Sequence, residues 1–205
     1  MTGYDKRYLR IAMPAALESL FMILLASADL IMVGTLGAVS IAAVSIFLQP
    51  RLVILCFSRS LSAAVTLLVS REAGRDDRRV AADILKKSLF AGTAVLICIH
   101  VLFYLYLEDI FYLMGAKEEY IAPALVYGNI ALFSVFITSL TLIFQAVQLV
   151  YGQTAVIMKT NVAGNIVNVV MNALLIFGLG PFPAMGVAGA AAGTVISLSL
   201  IHISD

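Results

Sequence analysis

Glu18 and Asp29 are carboxylates set in an otherwise apolar run, eleven positions apart. Three turns of α-helix repeat in about 11 residues, so on one helix both point the same way, about 16 Å apart. A carboxylate in apolar surroundings is costly unless a cation, a proton or a hydrogen-bond donor meets it. An acidic stripe of this kind is the chemistry of a cation or proton site. The structural alternatives are that Glu18 reaches an interface and that Asp29 pairs with another helix. Pro14 stands one turn before Glu18. Its missing N–H frees a carbonyl and invites a bend, which makes it a hinge candidate.

A second polar series is Asn161, Asn165, Asn168 and Asn172, spaced 4, 3 and 4 so that all share one helical face. Amide oxygens suit hard cations such as sodium, and amides also bond helix to helix in lipid. Asn168 and Asn172 lie deeper in the apolar run. Thr194, four residues after Ala190, places a hydroxyl beside a backbone carbonyl, a pair that suits an ion. The surrounding Gly186–Gly193 stretch is small enough for close helix packing, with Gly189 and Gly193 as a small-xxx-small pair. Gln49, Pro50, Arg51 and Arg59 are expected to line a cavity or an interface, or to pair with Glu18 or Asp29. Tyr127, Asn129, Gln145 and Gln148 are weaker polar signals, and His100 reads as a packing residue.

These residues need elements to hold them. Of the 205 residues, 62% are hydrophobic and 12% charged, against roughly 45–50% and 25% in a soluble domain. Six stretches, about 10–33, 42–70, 84–107, 121–151, 155–179 and 186–203, carry the apolar length a membrane-spanning helix requires. The expected fold is all-α, a polytopic six-helix transmembrane bundle. The breaks hold Gly34-Thr-Leu-Gly37, the charged run 71–79, the segment Glu108 to Tyr120, Gly152-Gln-Thr154 and Gly180-Pro-Phe-Pro183. Ten of the thirteen Lys and Arg fall on one side of this topology and only Lys117 in the opposite loops. By the positive-inside rule the N-terminus is cytoplasmic.

The first apolar run is too long for a leader's hydrophobic core and reads as a span. Cys56 and Cys98 have no metal-ligand spacing. The net charge of +1 gives no pull toward nucleic acid. No HExxH, paired catalytic aspartates or Ser/His arrangement occurs in the spans, so an enzyme is not expected. Leu198 to Asp205 lacks the basic segment that should follow a sixth span and resembles translated adapter sequence. The chain is therefore expected to be truncated there.

Pro14, then Asp29-Leu-Ile-Met-Val-Gly34-Thr-Leu-Gly37, resembles the first helix of the MATE (multidrug and toxic-compound extrusion) transporters. The basic loop with Gly74, Met114-Gly-Ala116, Asn168-Val-Val-Met-Asn172 and Gly178 through Gly186-Val-Ala-Gly189 extend the likeness to residues 8–196. The resemblance implies the N-terminal six-helix lobe of a twelve-helix secondary antiporter in the plasma membrane. Such a protein exports organic cations or other small amphiphiles in exchange for Na+ or H+ and uses no cofactor beyond that ion. Asp29 would be the key carboxylate, and the sodium ligand if sodium couples. Asn168, Asn172, Thr194 and the Ala190 carbonyl would surround it, with Tyr127 nearby. Glu18, Gln49 and Arg51 are further cavity candidates. The implied partners are the lipid bilayer, the small-molecule substrate and a missing C-terminal lobe. One departure is that many members have aspartate where Asn172 stands. Two alternatives remain: a lipid-linked oligosaccharide flippase of related plan, with Arg51 and Arg59 holding pyrophosphate, or a half-size module acting as a dimer.

Overall fold

In lipid the backbone has no water to bond, and every N–H and C=O must be satisfied within the chain. A sequence this apolar therefore folds as helices. The computed structural model describes residues 3–73 and 78–204; residues 74–77, with Gly74, lie outside it. The side chains of Pro14 and Glu18 also lie outside the described residues, so their hinge and cavity roles have no structural reading. The helices are α1 (Gly3–Gly34), α2 (Ala38–Ala73), α3 (Arg78–Leu105), α4 (Leu107–Leu113), α5 (Glu118–Val150), α6 (Thr154–Phe177) and α7 (Val187–Ser204). No strand occurs among the described residues.

α2, α3, α5 and α6 are long and apolar enough to cross a membrane, and α1 and α7 carry shorter apolar stretches, Ser19–Gly34 and Val187–Leu200. Large apolar side chains stand outward, with Phe90 81% and Leu67 70% exposed. Such a surface belongs against lipid or protein rather than water. The fold is an all-α, polytopic membrane bundle of six long helices and one short one.

The segment from Glu108 to Tyr120, read above as a connection, contains α4 at its start. Leu107 and Phe111, one turn apart, are buried there. Both press on Gly128 of α5, where a Cβ would meet Leu107 Cδ2 at 2.9 Å and Phe111 Cζ at 3.1 Å. Two anchors on one helical face and a glycine opposite them make the helix, and no apolar run long enough for a span marks it in sequence.

Packing divides the bundle into α2 with α3 and α5, and α1 with α6 and α7; α7 also lies against α5 and joins the two groups. Polar clasps hold the first group. Ser58 Oγ donates to Ser139 Oγ at 2.7 Å and Ser62 Oγ to the Leu142 carbonyl at 2.8 Å. His100 Nδ1 lies 2.7 Å from the Leu96 carbonyl of its own helix, and its ring meets Phe136 edge-on at 5.2 Å. That is a packing role.

α6 ends on Gly178 in the left-handed conformation, φ +70°. The following turn folds back, with Met185 N–H donating to the Leu175 carbonyl at 2.9 Å and Gly186 N–H to the Ile176 carbonyl at 3.3 Å. A Cβ on Gly178 would also press on the Ala184 backbone. Gly178→Ala is expected to cost about 2 kcal/mol from the unfavourable φ and the overlap together. A lowered thermal unfolding midpoint of the purified chain in detergent checks this.

Candidate functional site

The three helices of the second group bring four of the polar residues together. Asp29 lies on α1, five residues before the Gly34–Gly37 turn. Asn168 and Asn172 lie one turn apart on α6 and are 7% and 1% exposed. Thr194 lies one turn after Ala190 on α7. The contact is close because α7 presents glycines: a Cβ on Gly189 would meet the Leu175 carbonyl oxygen, and one on Gly193 would overlap Asn172. The packing expected of this small-residue stretch is what the structure shows. Below it Val33, Val44, Ile176 and Ala190 form an apolar floor, with Met32, Tyr127 and Val187 against them.

Asn172 Nδ2 donates to Asp29 Oδ1 at 2.9 Å. The Asn168 amide bridges the other side, one end 2.9 Å from Asp29 Oδ2 and the other 3.1 Å from Thr194 Oγ1. Thr194 Oγ1 donates in turn to the Ala190 carbonyl at 3.0 Å. The orientation of the Asn168 amide follows the charge on Asp29. With the carboxylate ionised, Nδ2 faces Asp29 and both carboxylate oxygens accept from amides. With Asp29 protonated, the Asn168 Oδ1 accepts the carboxyl proton and Nδ2 turns to the threonine. One side chain therefore fits either state, because an amide carries a donor and an acceptor on nearly the same shape.

Asn172 Oδ1 is buried and has no hydrogen-bond partner. Asp29, the amide oxygens and the Ala190 carbonyl are an oxygen-rich set of the kind that hard cations take. With Nδ2 of Asn172 toward Asp29, its oxygen points elsewhere, so metal ligation by both asparagines requires their amides to turn.

The asparagine series does not act as one face. Asn161 Oδ1 accepts from Gln145 Nε2 of α5 at 2.9 Å, and Asn165 Nδ2 donates to the Asn161 carbonyl at 2.7 Å. Only the later pair reaches Asp29. Tyr127 meets Phe47 edge-on at 5.7 Å, beside the floor of the site. Gln49 and Arg51 are exposed on α2. The charge of Arg51 acts on both Asp29 and Tyr127, yet neither Arg51 nor Arg59 forms an ion pair among the described residues. The expected pairing of these arginines with Asp29 is thus absent; the pairing with Glu18 lies outside the described residues. Sequence reading missed the Ser58–Ser139 and Ser62–Leu142 clasps. Serines at 58 and 62, one turn apart, were the available signal.

Replacing Asn172 tests the donor arrangement. Asn172→Ala removes the donor to Asp29 Oδ1 and a buried amide, and is expected to cost about 1–3 kcal/mol. Unfolding in detergent measures it, and an unchanged midpoint would show that the bond contributes nothing.

A family model described as MatE matches residues 14–174. The uncharacterized transporter YisQ of Bacillus subtilis (strain 168) is 26% identical over 184 residues, covering 90% of this chain and 40% of that protein. The probable multidrug resistance protein NorM of Rhizobium meliloti (strain 1021) is 30% identical over 166 residues, covering 80% and 35%. A solved MOP superfamily transporter from Pyrococcus furiosus Vc1 superposes with a TM-score of 0.86 at 26% identity, covering 96% of this chain and 42% of that one. The chain thus spans about two fifths of the length of the YisQ relative. With the family model spanning most of its length and the bundle superposing on a solved transporter of the same plan, this chain belongs to the MatE family of membrane transporters.

Proposed function

We propose that the chain is the N-terminal lobe of a secondary antiporter that exports organic cations or other small amphiphiles, and that Asp29 carries the coupling ion, H+ or Na+. The observation that carries this reading is the Asp29 carboxylate held by Asn172 and Asn168 at the junction of α1, α6 and α7. A carboxylate between three helices is a point where charge and packing are linked. Ionised, it draws two amide donors; neutralised, it releases at least one of them, and the fit of α1 on α6 changes with it. A ligand that binds one arrangement better shifts the population toward it. Substrate and coupling ion then compete through that shift without touching.

The Asn168 amide favours the proton over sodium. It serves the ionised and the protonated carboxyl by turning about one bond, whereas the second acid that would help to hold a metal is replaced by Asn172. The protein lies in the plasma membrane with its N-terminus in the cytoplasm, as the Lys and Arg distribution requires, and a second lobe completes the cleft.

Membrane vesicles carrying the full-length protein test the proposal. Under an imposed proton gradient a cationic dye such as ethidium is expected to move, with little added by a sodium gradient. Movement under neither gradient overturns the antiporter reading; movement under sodium alone overturns the proton assignment.

A further inference from the structure

Arg59 is a permanent cation near the middle of the apolar stretch 42–70, exposed on α2 and without an ion pair among the described residues. On α3, which packs against α2, Asp83 is already paired with Lys87 at 2.7 Å. An arginine facing hydrocarbon costs several kcal/mol, so this face of α2 is built for something other than lipid tails.

Beside Arg59 opens a groove of about 510 Å3, lined by Ser62, Thr66, Leu67 and Ser70 of α2 and by Leu149 of α5. Its volume lies within the roughly 300–1,000 Å3 of small-molecule sites. The hydroxyl protons in it are already committed: Ser62 donates to the Leu142 carbonyl at 2.8 Å, Thr66 to the Ser62 carbonyl at 2.9 Å and Ser70 to the Leu67 carbonyl at 3.0 Å. What the groove offers a ligand is therefore one guanidinium, hydroxyl oxygens that accept, and leucine walls. Arg59 supplies planar paired donors of the kind that fit a phosphate or carboxylate.

We propose that this groove binds an amphiphile with a phosphate or carboxylate head on Arg59, its own O–H or N–H groups toward Ser62, Thr66 and Ser70, and an apolar part against Leu67 and Leu149. The same chemistry comes from two sources, an anionic phospholipid or a transported anionic solute. As a substrate site the groove rests on the transporter reading above; as a binding site it is read at equilibrium with no gradient, so the two fail separately.

The test uses the full chain in zwitterionic phosphatidylcholine nanodiscs, with octyl phosphate and octyltrimethylammonium as matched probes in equilibrium dialysis. Octyl phosphate is expected to bind saturably and more tightly than the cation. Arg59→Gln is expected to weaken it roughly tenfold or more, the loss of a charge-assisted contact, while Arg59→Lys, which keeps the charge, falls between. Equal binding by the parent and Arg59→Gln overturns the proposal, as does preference for the cation. Because Arg59→Lys preserves the cation, loss of binding in both variants together with aggregation on gel filtration would assign Arg59 to folding and also overturn it. Nanodiscs containing phosphatidylglycerol separate the sources. If they abolish octyl phosphate binding, the occupant is lipid; if they do not, it is a solute.

Discussion

Asp29→Asn is expected to reduce gradient-driven efflux by the full-length protein to the level of protein-free vesicles, while the protein still folds and inserts. The substitution keeps the size and shape of the side chain and removes the only group of the cluster that changes charge. Asn172 can still donate to the oxygen of the introduced amide, as it does to Asp29 Oδ1 at 2.9 Å. The new NH2 can donate to Asn168 Oδ1, across the 2.9 Å gap to Oδ2. The cluster is thus satisfied in the arrangement that fits a protonated carboxyl, and it is held there. A transporter held in one arrangement binds but does not cycle. Dye efflux from vesicles, with gel filtration in detergent as the control for folding, measures both halves of the expectation. Normal efflux removes Asp29 from the coupling role. Aggregation moves its role to structure.

The second large effect is expected at Gly193. A Cβ there would overlap Asn172 Oδ1 and stand 3.0 Å from the Asn172 backbone nitrogen and 3.2 Å from its Cα. Two of these neighbours are backbone, which cannot swing aside as a flexible side chain can. Gly193→Leu therefore pushes α7 away from α6, at a cost of about 3 kcal/mol or more in packing. Because Asn172 is the residue displaced, the donor to Asp29 goes with it. A melting midpoint well below that of the parent, in the same detergent, is the expected reading. An unchanged midpoint would mean that the two helices are not in backbone contact at this point.

Much of the site was legible before any coordinates. A carboxylate or amide in a stretch this apolar is conspicuous by its cost, so Asp29, Asn168 and Asn172 marked themselves, and the glycines of α7 announced close approach. Helical spacing went further than it should have with the asparagines. Four residues at spacings of 4, 3 and 4 do share a face, but that face runs about 16 Å along the axis. Over such a length α6 meets two different neighbours: α5 through Gln145 and Asn161, and α1 through Asp29. Spacing reports direction around an axis and carries no information about which helix stands there. The destination of the arginines was illegible for the same reason. The short helix α4 was hidden because two buried anchors, Leu107 and Phe111, leave no periodic run to read.

By itself the sequence determined that this is an all-α membrane protein, since its apolar fraction leaves the backbone no solvent but its own hydrogen bonds, and it determined which polar residues stand in the apolar stretches. Only the tertiary structure decided which of them meet. A hydrogen bond forms over about 3 Å, and whether two side chains 143 residues apart, Asn172 and Asp29, come within that reach depends on how three helices pack. That packing is fixed by shape, through Gly189 and Gly193, rather than by the chemistry of the residues that use it.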